Sequence, residues 1–264
     1  MKKNQKQLIY AFLFSLICIL SCSKEHGEFV FKRSMLTVSI SGYNTSGNFL
    51  EVKIDTIKSE YLISPNNQIL FGAAYTFLEG QEEVQMTISE KESGKIILEK
   101  QLKKGAEPIK ISFLYMDGKL LDFPTIPPKE EGKIKIQYIY KPTTAEFKGP
   151  VDIVFGRYYF IPKVFEEFAR IKNLNPNELS EPITFDTFST TGLTYNGQAT
   201  PTFFRAHLYK AGTNEPITSG TDYIWNALNS TVPTPSSSTA SSKFYIFSDY
   251  IQNNTLRFYK NLEL

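Results

Sequence analysis

Lys133-Ile134-Lys135-Ile136-Gln137-Tyr138-Ile139-Tyr140 alternates with period two. Ile134, Ile136, Tyr138 and Tyr140 fall on one side, and Lys133, Lys135 and Gln137 on the other. A strand turns successive side chains to opposite faces, so this pattern predicts one buried and one solvated face. Working back along the chain, the same rhythm recurs at Leu36/Val38/Ile40, Leu50/Val52/Ile54, Val84/Met86/Ile88 and Ile109/Ile111/Phe113/Tyr115. Turn signals lie between these runs: Ser41-Gly42, Pro65-Asn66-Asn67, Ser93-Gly94 and Asp117-Gly118, the last suited to a tight hairpin. Pro124 and Pro127-Pro128 break the chain just before the octapeptide. Short strands at this spacing predict an antiparallel β-sandwich of immunoglobulin-like type over 35–141.

Beyond Lys141 the charges thin and Ser, Thr, Asn and Pro replace them. Strands are expected at 150–160, 183–188, 202–209, 243–247 and 255–259. Between the first two, 161–174 reads as an α-helix. Pro162 suits its first turn, Val164, Phe165, Phe168 and Ile171 form an apolar stripe, and Glu166 and Arg170 sit four apart outside it. The Ser/Pro-rich stretch 233–242 reads as a mobile surface loop. The expectation is a mainly β protein of two tandem β-sandwiches, 35–141 and 142–264, the second carrying one helix. No internal repeat aligns the halves.

The 264 residues are 41% hydrophobic and 14% aromatic, which excludes a disordered chain. Two Cys and two His exclude a disulfide scaffold and a zinc-finger array. The first 21 residues carry a secretory pattern: Lys2, Lys3 and Lys6, then an apolar run over 8–20, too short to span a bilayer. Removing them takes the formal charge from +2 to −1, so the apparent basicity belongs to the leader. Ile19-Leu20-Ser21-Cys22 resembles the lipobox of bacterial lipoproteins, although Ile and Leu are less typical at its first two positions. That resemblance implies cleavage before Cys22 and acylation of Cys22, palmitate included, with 22–34 as a lipidated tether. Several acyl chains on one residue hold a soluble domain on a membrane far better than one.

No phosphate loop, dinucleotide fingerprint, zinc-protease helix or nucleophile elbow occurs, so no enzyme activity and no cofactor are expected. Glu166-Glu167, Glu82-Glu83 and Glu130-Glu131 read as solvated charge rather than paired catalytic acids. Two groups remain as candidates. Arg205, His207 and Tyr209 share one strand face with Phe203, either as a polar, partly exposed surface or as a cluster able to bond a sugar or carboxylate. Trp225, the only Trp, stands near Asp222, Tyr223 and Asn226, either as a core anchor or as a ring for stacking on a glycan. Nucleic acid is excluded by the mature charge and the lack of a basic stripe.

The leader, Cys22-Ser23-Lys24-Glu25 and tandem β-regions rich in Tyr, Asn and Thr resemble the surface lipoproteins of Bacteroidota that accompany outer-membrane glycan-import systems. The resemblance is one of plan, with no diagnostic motif beyond the first 25 residues. It implies an outer-membrane lipid anchor, on the cell-surface or periplasmic face, and a non-catalytic module that captures glycan or assists an import complex. Two alternatives stand beside it: an adhesin or fimbria-like subunit held by strand exchange, and a glycan hydrolase.

Overall fold

The computed structural model describes residues 34–116 and 118–264; the leader, Cys22 and the tether lie outside the described residues. Every regular element among them is a strand. These are β1 (Met35–Asn44), β2 (Leu50–Ile54), β3 (Ile57–Lys58), β4 (Asn67–Thr76), β5 (Glu83–Glu90), β6 (Ile96–Lys103), β7 (Ile109–Met116), β8 (Lys119–Asp122) and β9 (Lys133–Lys141). There follow β10 (Val151–Tyr159), β11 (Val164–Leu174), β12 (Ile183–Asp186), β13 (Thr194–Tyr195), β14 (Gln198–Ala199), β15 (Thr202–Lys210), β16 (Ser241–Gln252) and β17 (Thr255–Glu263).

Two sheets, ordered β4-β1-β7-β8 and β3-β2-β5-β6, enclose one core. Leu36, Val38, Ile40, Phe71 and Phe113 come from the first, and Val52, Met86, Ile88 and Leu102 from the second. A second pair, β12-β9-β16-β17 and β11-β10-β15, encloses another core around Ile134, Tyr138, Phe155, Ala206 and Phe247. The octapeptide is β9, and it pairs with β12 and β16 of this later half.

Where the sequence predicts antiparallel pairing throughout, each half holds one parallel pair, β1·β7 and β9·β16. The two halves repeat one plan. β1 and β9 each lie between an antiparallel neighbour (β4, β12) and a parallel one (β7, β16), and a hairpin strand (β8, β17) closes the edge. In the opposite sheets β2 and β10 are central in the same way; the segment 211–240 follows β15 where β6 follows β5. Asp249, fully buried, fixes the passage from β9 to β10 by accepting the backbone N–H groups of Thr143 and Thr144 and the Tyr140 hydroxyl at 2.8–3.1 Å.

A third apolar cluster joins the halves: Tyr43, Leu114 and Met116 from the first, and Ile139, Phe244, Ile246 and Leu262 from the second. It also explains why Ile139, on the supposedly solvated face of β9, is buried; Gln137, on the same face, is buried where it pairs with Phe244 and donates to the Ser180 carbonyl. The Tyr43 hydroxyl donates at 2.9 Å to the Asn66 carbonyl, and the Lys141 ammonium reaches the Thr45 carbonyl and the Asn66 side chain.

The helix expected over 161–174 is absent; that segment is β11. Residues 160–163 turn the chain back after β10, with Lys163 at φ 56°, which no right-handed helix admits. The stripe that imitated a helix comes from two β-bulges. Phe155 faces Ala169 while Gly156 faces Glu167, leaving Phe168 as an extra residue. A second extra residue lies between the Ile153–Ile171 and Val151–Leu174 pairs. Each bulge delays the alternation by one, so Phe168, Ile171 and Leu174 reach the core side at intervals of three. Phe165, also assigned to the stripe, lies on the opposite face against His207.

Two other local expectations change. Ser41-Gly42 is not a turn but the interior of β1. The stretch 233–242 is largely half-buried: the Pro233 carbonyl accepts the Tyr138 hydroxyl, the Ser237 carbonyl accepts Phe188 N–H, and Ser241 and Ser242 begin β16. β7 and β8 pair as the hairpin signal at 117–118 predicts, Met116 opposite Lys119; Asp117 itself lies outside the described residues.

Candidate functional site

On β15, alternation puts Phe203, Arg205, His207 and Tyr209 on one face, as the sequence predicts. That face is covered. His207 is 0% exposed, with its Nε2 2.9 Å from the Ala227 carbonyl and its Nδ1 3.2 Å from the Tyr209 hydroxyl. A carbonyl only accepts, so Nε2 carries the proton and Nδ1 accepts from Tyr209: a neutral imidazole. Burial lowers the His207 pKa to about 4 and raises that of Tyr209 to about 12. Arg205 donates to the Phe204 carbonyl, lies 4.9 Å from the Phe203 ring centroid, and has its pKa lowered by burial.

Trp225 is half-buried. Its ring meets His207 edge-on at 5.0 Å and Tyr209 at 6.1 Å, and its indole Nε1 is buried without a partner among the described residues. Phe165, from β11, completes the cluster at 4.3 Å from His207. The remaining candidates do not converge on it. The Asn226 side chain caps its own turn by accepting Leu228 and Asn229 N–H, the Asp222 carbonyl accepts the Asn254 amide, and Tyr223 is half-buried in the same segment. Arg205, His207, Tyr209 and Trp225 thus form the seam along which 211–240 is laid onto β15.

Two acids that share Arg170 are engaged too. Buried Asp152 accepts Arg170, Asn173 N–H and Gly212 N–H, and Arg170 forks onto Glu167 at 2.7 and 2.9 Å. The Arg170 guanidinium holds the Glu167 carboxyl below the usual range.

A different feature is open. β4, sequence Asn67-Gln68-Ile69-Leu70-Phe71-Gly72-Ala73-Ala74-Tyr75-Thr76, pairs with β1 on one side and is the edge of its sheet on the other. Beside it lies a groove of about 410 Å³ between the two sheets of the first sandwich. Val52, Ile54, Phe71, Ala73 and Tyr75 line it, with Ile57, Tyr61 and Leu70 exposed at its rim. Edge strands are ordinarily guarded by charge or proline. Among the edge strands of the four larger sheets, β3, β6, β8, β11, β12, β15 and β17 all carry a charged residue; β4 carries none, and no proline. The sequence conceals this strand: Ile69, Phe71, Ala73 and Tyr75 alternate, but Leu70 and Gly72 blur the rhythm.

No family profile and no curated protein sequence matches the chain. Among solved structures it is similar to a Bacteroides ovatus protein assigned as an adhesin, at 8% identity over 84% of this chain and 90% of that one, with a TM-score of 0.21. A Bacteroides ovatus ATCC 8483 protein assigned to cell adhesion is 9% identical over 88% and 98%, at 0.19. The major pilin of Streptococcus pyogenes is 10% identical over 58% and 75%, at 0.17. Among the described residues no helix is long and apolar enough to cross a membrane.

Proposed function

We propose that the chain is a non-catalytic adhesion module of adhesin or fimbria-like type, held at the outer membrane through Cys22, whose first sandwich receives an extended strand from a partner along β4. The observation that carries this reading is the unguarded edge of β4 beside an apolar groove. An added strand would supply main-chain hydrogen bonds along β4, and its alternate side chains would fill the groove over Phe71 and Ala73. Glycan capture through Trp225 has less support, because its indole Nε1 is buried and the ring seals the seam over fully buried His207. In this reading the two sandwiches are immunoglobulin-like units in tandem. Their division belongs before Lys133 rather than after Lys141, since β9 pairs within the later half.

Hydrogen exchange on the full chain tests the proposal. In the monomer the outward amides of β4 should exchange fast, and assembly or capture of an extended apolar peptide should protect them. Ala74 is exposed, so Ala74→Lys should leave stability within about 0.5 kcal/mol while abolishing that protection. Slow exchange of those amides in a strict monomer would mean the edge is already covered, and the reading would fail.

A further inference from the structure

We propose that the tip of the second sandwich remote from Lys141 is a binding site for a neutral carbohydrate, with Tyr195 as its stacking ring. β9 runs toward the first sandwich, ending where Lys141 meets Thr45, and β10 runs back from Val151 to Tyr159. The 160–163 turn therefore lies at the opposite end. Ser34 enters the first sandwich at the end of β1 where Met35 faces Thr76, away from the junction at Asn44 and Asn67. Tether side and tip are thus at opposite poles, which is where a tethered module would meet its ligand.

The tip holds a cleft of about 200 Å³ lined by Ile161, Pro162, Tyr195, Asn196, Gln198 and Thr200. No lining residue is charged, in contrast to the cavity around Asp152, Glu167, Arg170 and Lys172. A neutral sugar ring presents an apolar C–H face and a rim of hydroxyls, which matches one aromatic ring, two aliphatic side chains and a set of amides and hydroxyls. The volume is below the roughly 300–1,000 Å³ of a drug-sized site and suits a single ring of a chain that extends beyond the cleft.

The cleft is built on rigid turns. Tyr195 pairs with Gln198 across a two-residue hairpin, with Asn196 at φ 49° and Gly197 at φ 83°, the tight turn that an Asn-Gly pair favours. That turn exposes the Asn196 and Gln198 amides, and neither is bonded within the protein among the described residues. The facing wall is pinned by Phe160 N–H donating to the Pro201 carbonyl at 2.9 Å and Ile161 N–H to Thr200 Oγ1 at 3.1 Å. Behind Tyr195 stands buried Tyr159, ring centroids 5.0 Å apart, its hydroxyl donating to Glu166 at 3.0 Å. Tyr159 braces Tyr195. Exposed Phe160 and Ile161 widen the apolar platform beside the cleft.

The test is calorimetric titration of the full chain, in a detergent without a sugar headgroup, with neutral gluco-, manno-, xylo-, galacto- and N-acetylglucosamine oligosaccharides and with a polyuronate. At least one neutral oligosaccharide should bind, and the polyuronate should not bind better. Tyr195→Ala should weaken binding at least about tenfold, Gln198→Ala severalfold, and Tyr195→Phe little. Trp225→Ala and Ala74→Lys should leave the affinity unchanged, which separates this site from the seam and from strand capture. Gln198 is exposed, so its variant remains informative if Tyr195→Ala folds poorly. Absence of binding across the neutral panel, a polyuronate preference, or affinity indifferent to both Tyr195→Ala and Gln198→Ala would overturn the proposal.

Discussion

His207 is held neutral by its surroundings. Burial, the Ala227 carbonyl and the Tyr209 hydroxyl leave the ring no acceptor for a second proton, and its pKa falls to about 4 from the usual value near 6.5. In the unfolded chain it titrates near 6.5, so below that pH the unfolded state binds more protons and gains on the folded one. The stabilisation is complete above pH 6.5 and is lost as pH falls toward 4, about 3 kcal/mol in all. Comparison of denaturant unfolding for the native chain and His207→Phe across that window isolates the effect, because the carboxylates titrate alike in both. The native curve should fall faster on acidification; parallel curves would show that His207 is not the responsible group. Alternation along β15 already gathers Arg205, His207 and Tyr209 in the sequence. Their burial is not legible there, because Phe165 and Trp225, which cover them, come from β11 and from 211–240.

At the level of elements, β1 and β4 differ in what they ask of a glycine. Gly42 has φ +135°, and a Cβ built on it would lie 1.8 Å from the Phe113 carbonyl oxygen of β7. Gly72, in β4, has open space around it. Gly42→Ala should therefore destabilise by about 3 kcal/mol or more, since neither backbone can yield without breaking the β1·β7 pairing. Gly72→Ala should be neutral or slightly stabilising, through lost freedom in the unfolded chain. Urea titrations of the two variants, done side by side, decide it; equal effects would refute the close approach of β1 and β7. The same contrast shows why Ser41-Gly42 reads as a turn in the sequence: the glycine is there because its positive φ would turn a Cβ into the paired strand β7, a reason that only the partner reveals. Strands with strict alternation, such as β5 and β9, are legible from residue order alone. β11 is not, because its bulges turn a period of two into a spacing of three.

For the whole molecule, the repeat of one topology in both halves left no trace in the sequence, since strand order constrains which faces are apolar but not which residues make them so. What makes the halves one body is the cluster of Tyr43, Leu114, Met116, Ile139, Phe244, Ile246 and Leu262. Interfaces between domains of a chain are commonly polar and allow relative motion, whereas a buried apolar one couples their unfolding. Phe244 is 0% exposed and lies at this junction rather than in either sandwich core. Its truncation should leave both cores intact while removing about 3–5 kcal/mol of the packing between them. The native chain should then melt in one calorimetric transition, and Phe244→Ala in two, with the less stable sandwich unfolding first. The corresponding truncation inside a core, Phe155→Ala, should lower the melting temperature without this selective uncoupling of the two halves. A native chain that already melts in two independent steps, or a Phe244→Ala chain that melts in one at a merely lower temperature, would show that the apolar junction does not transmit stability between the tether side and the tip.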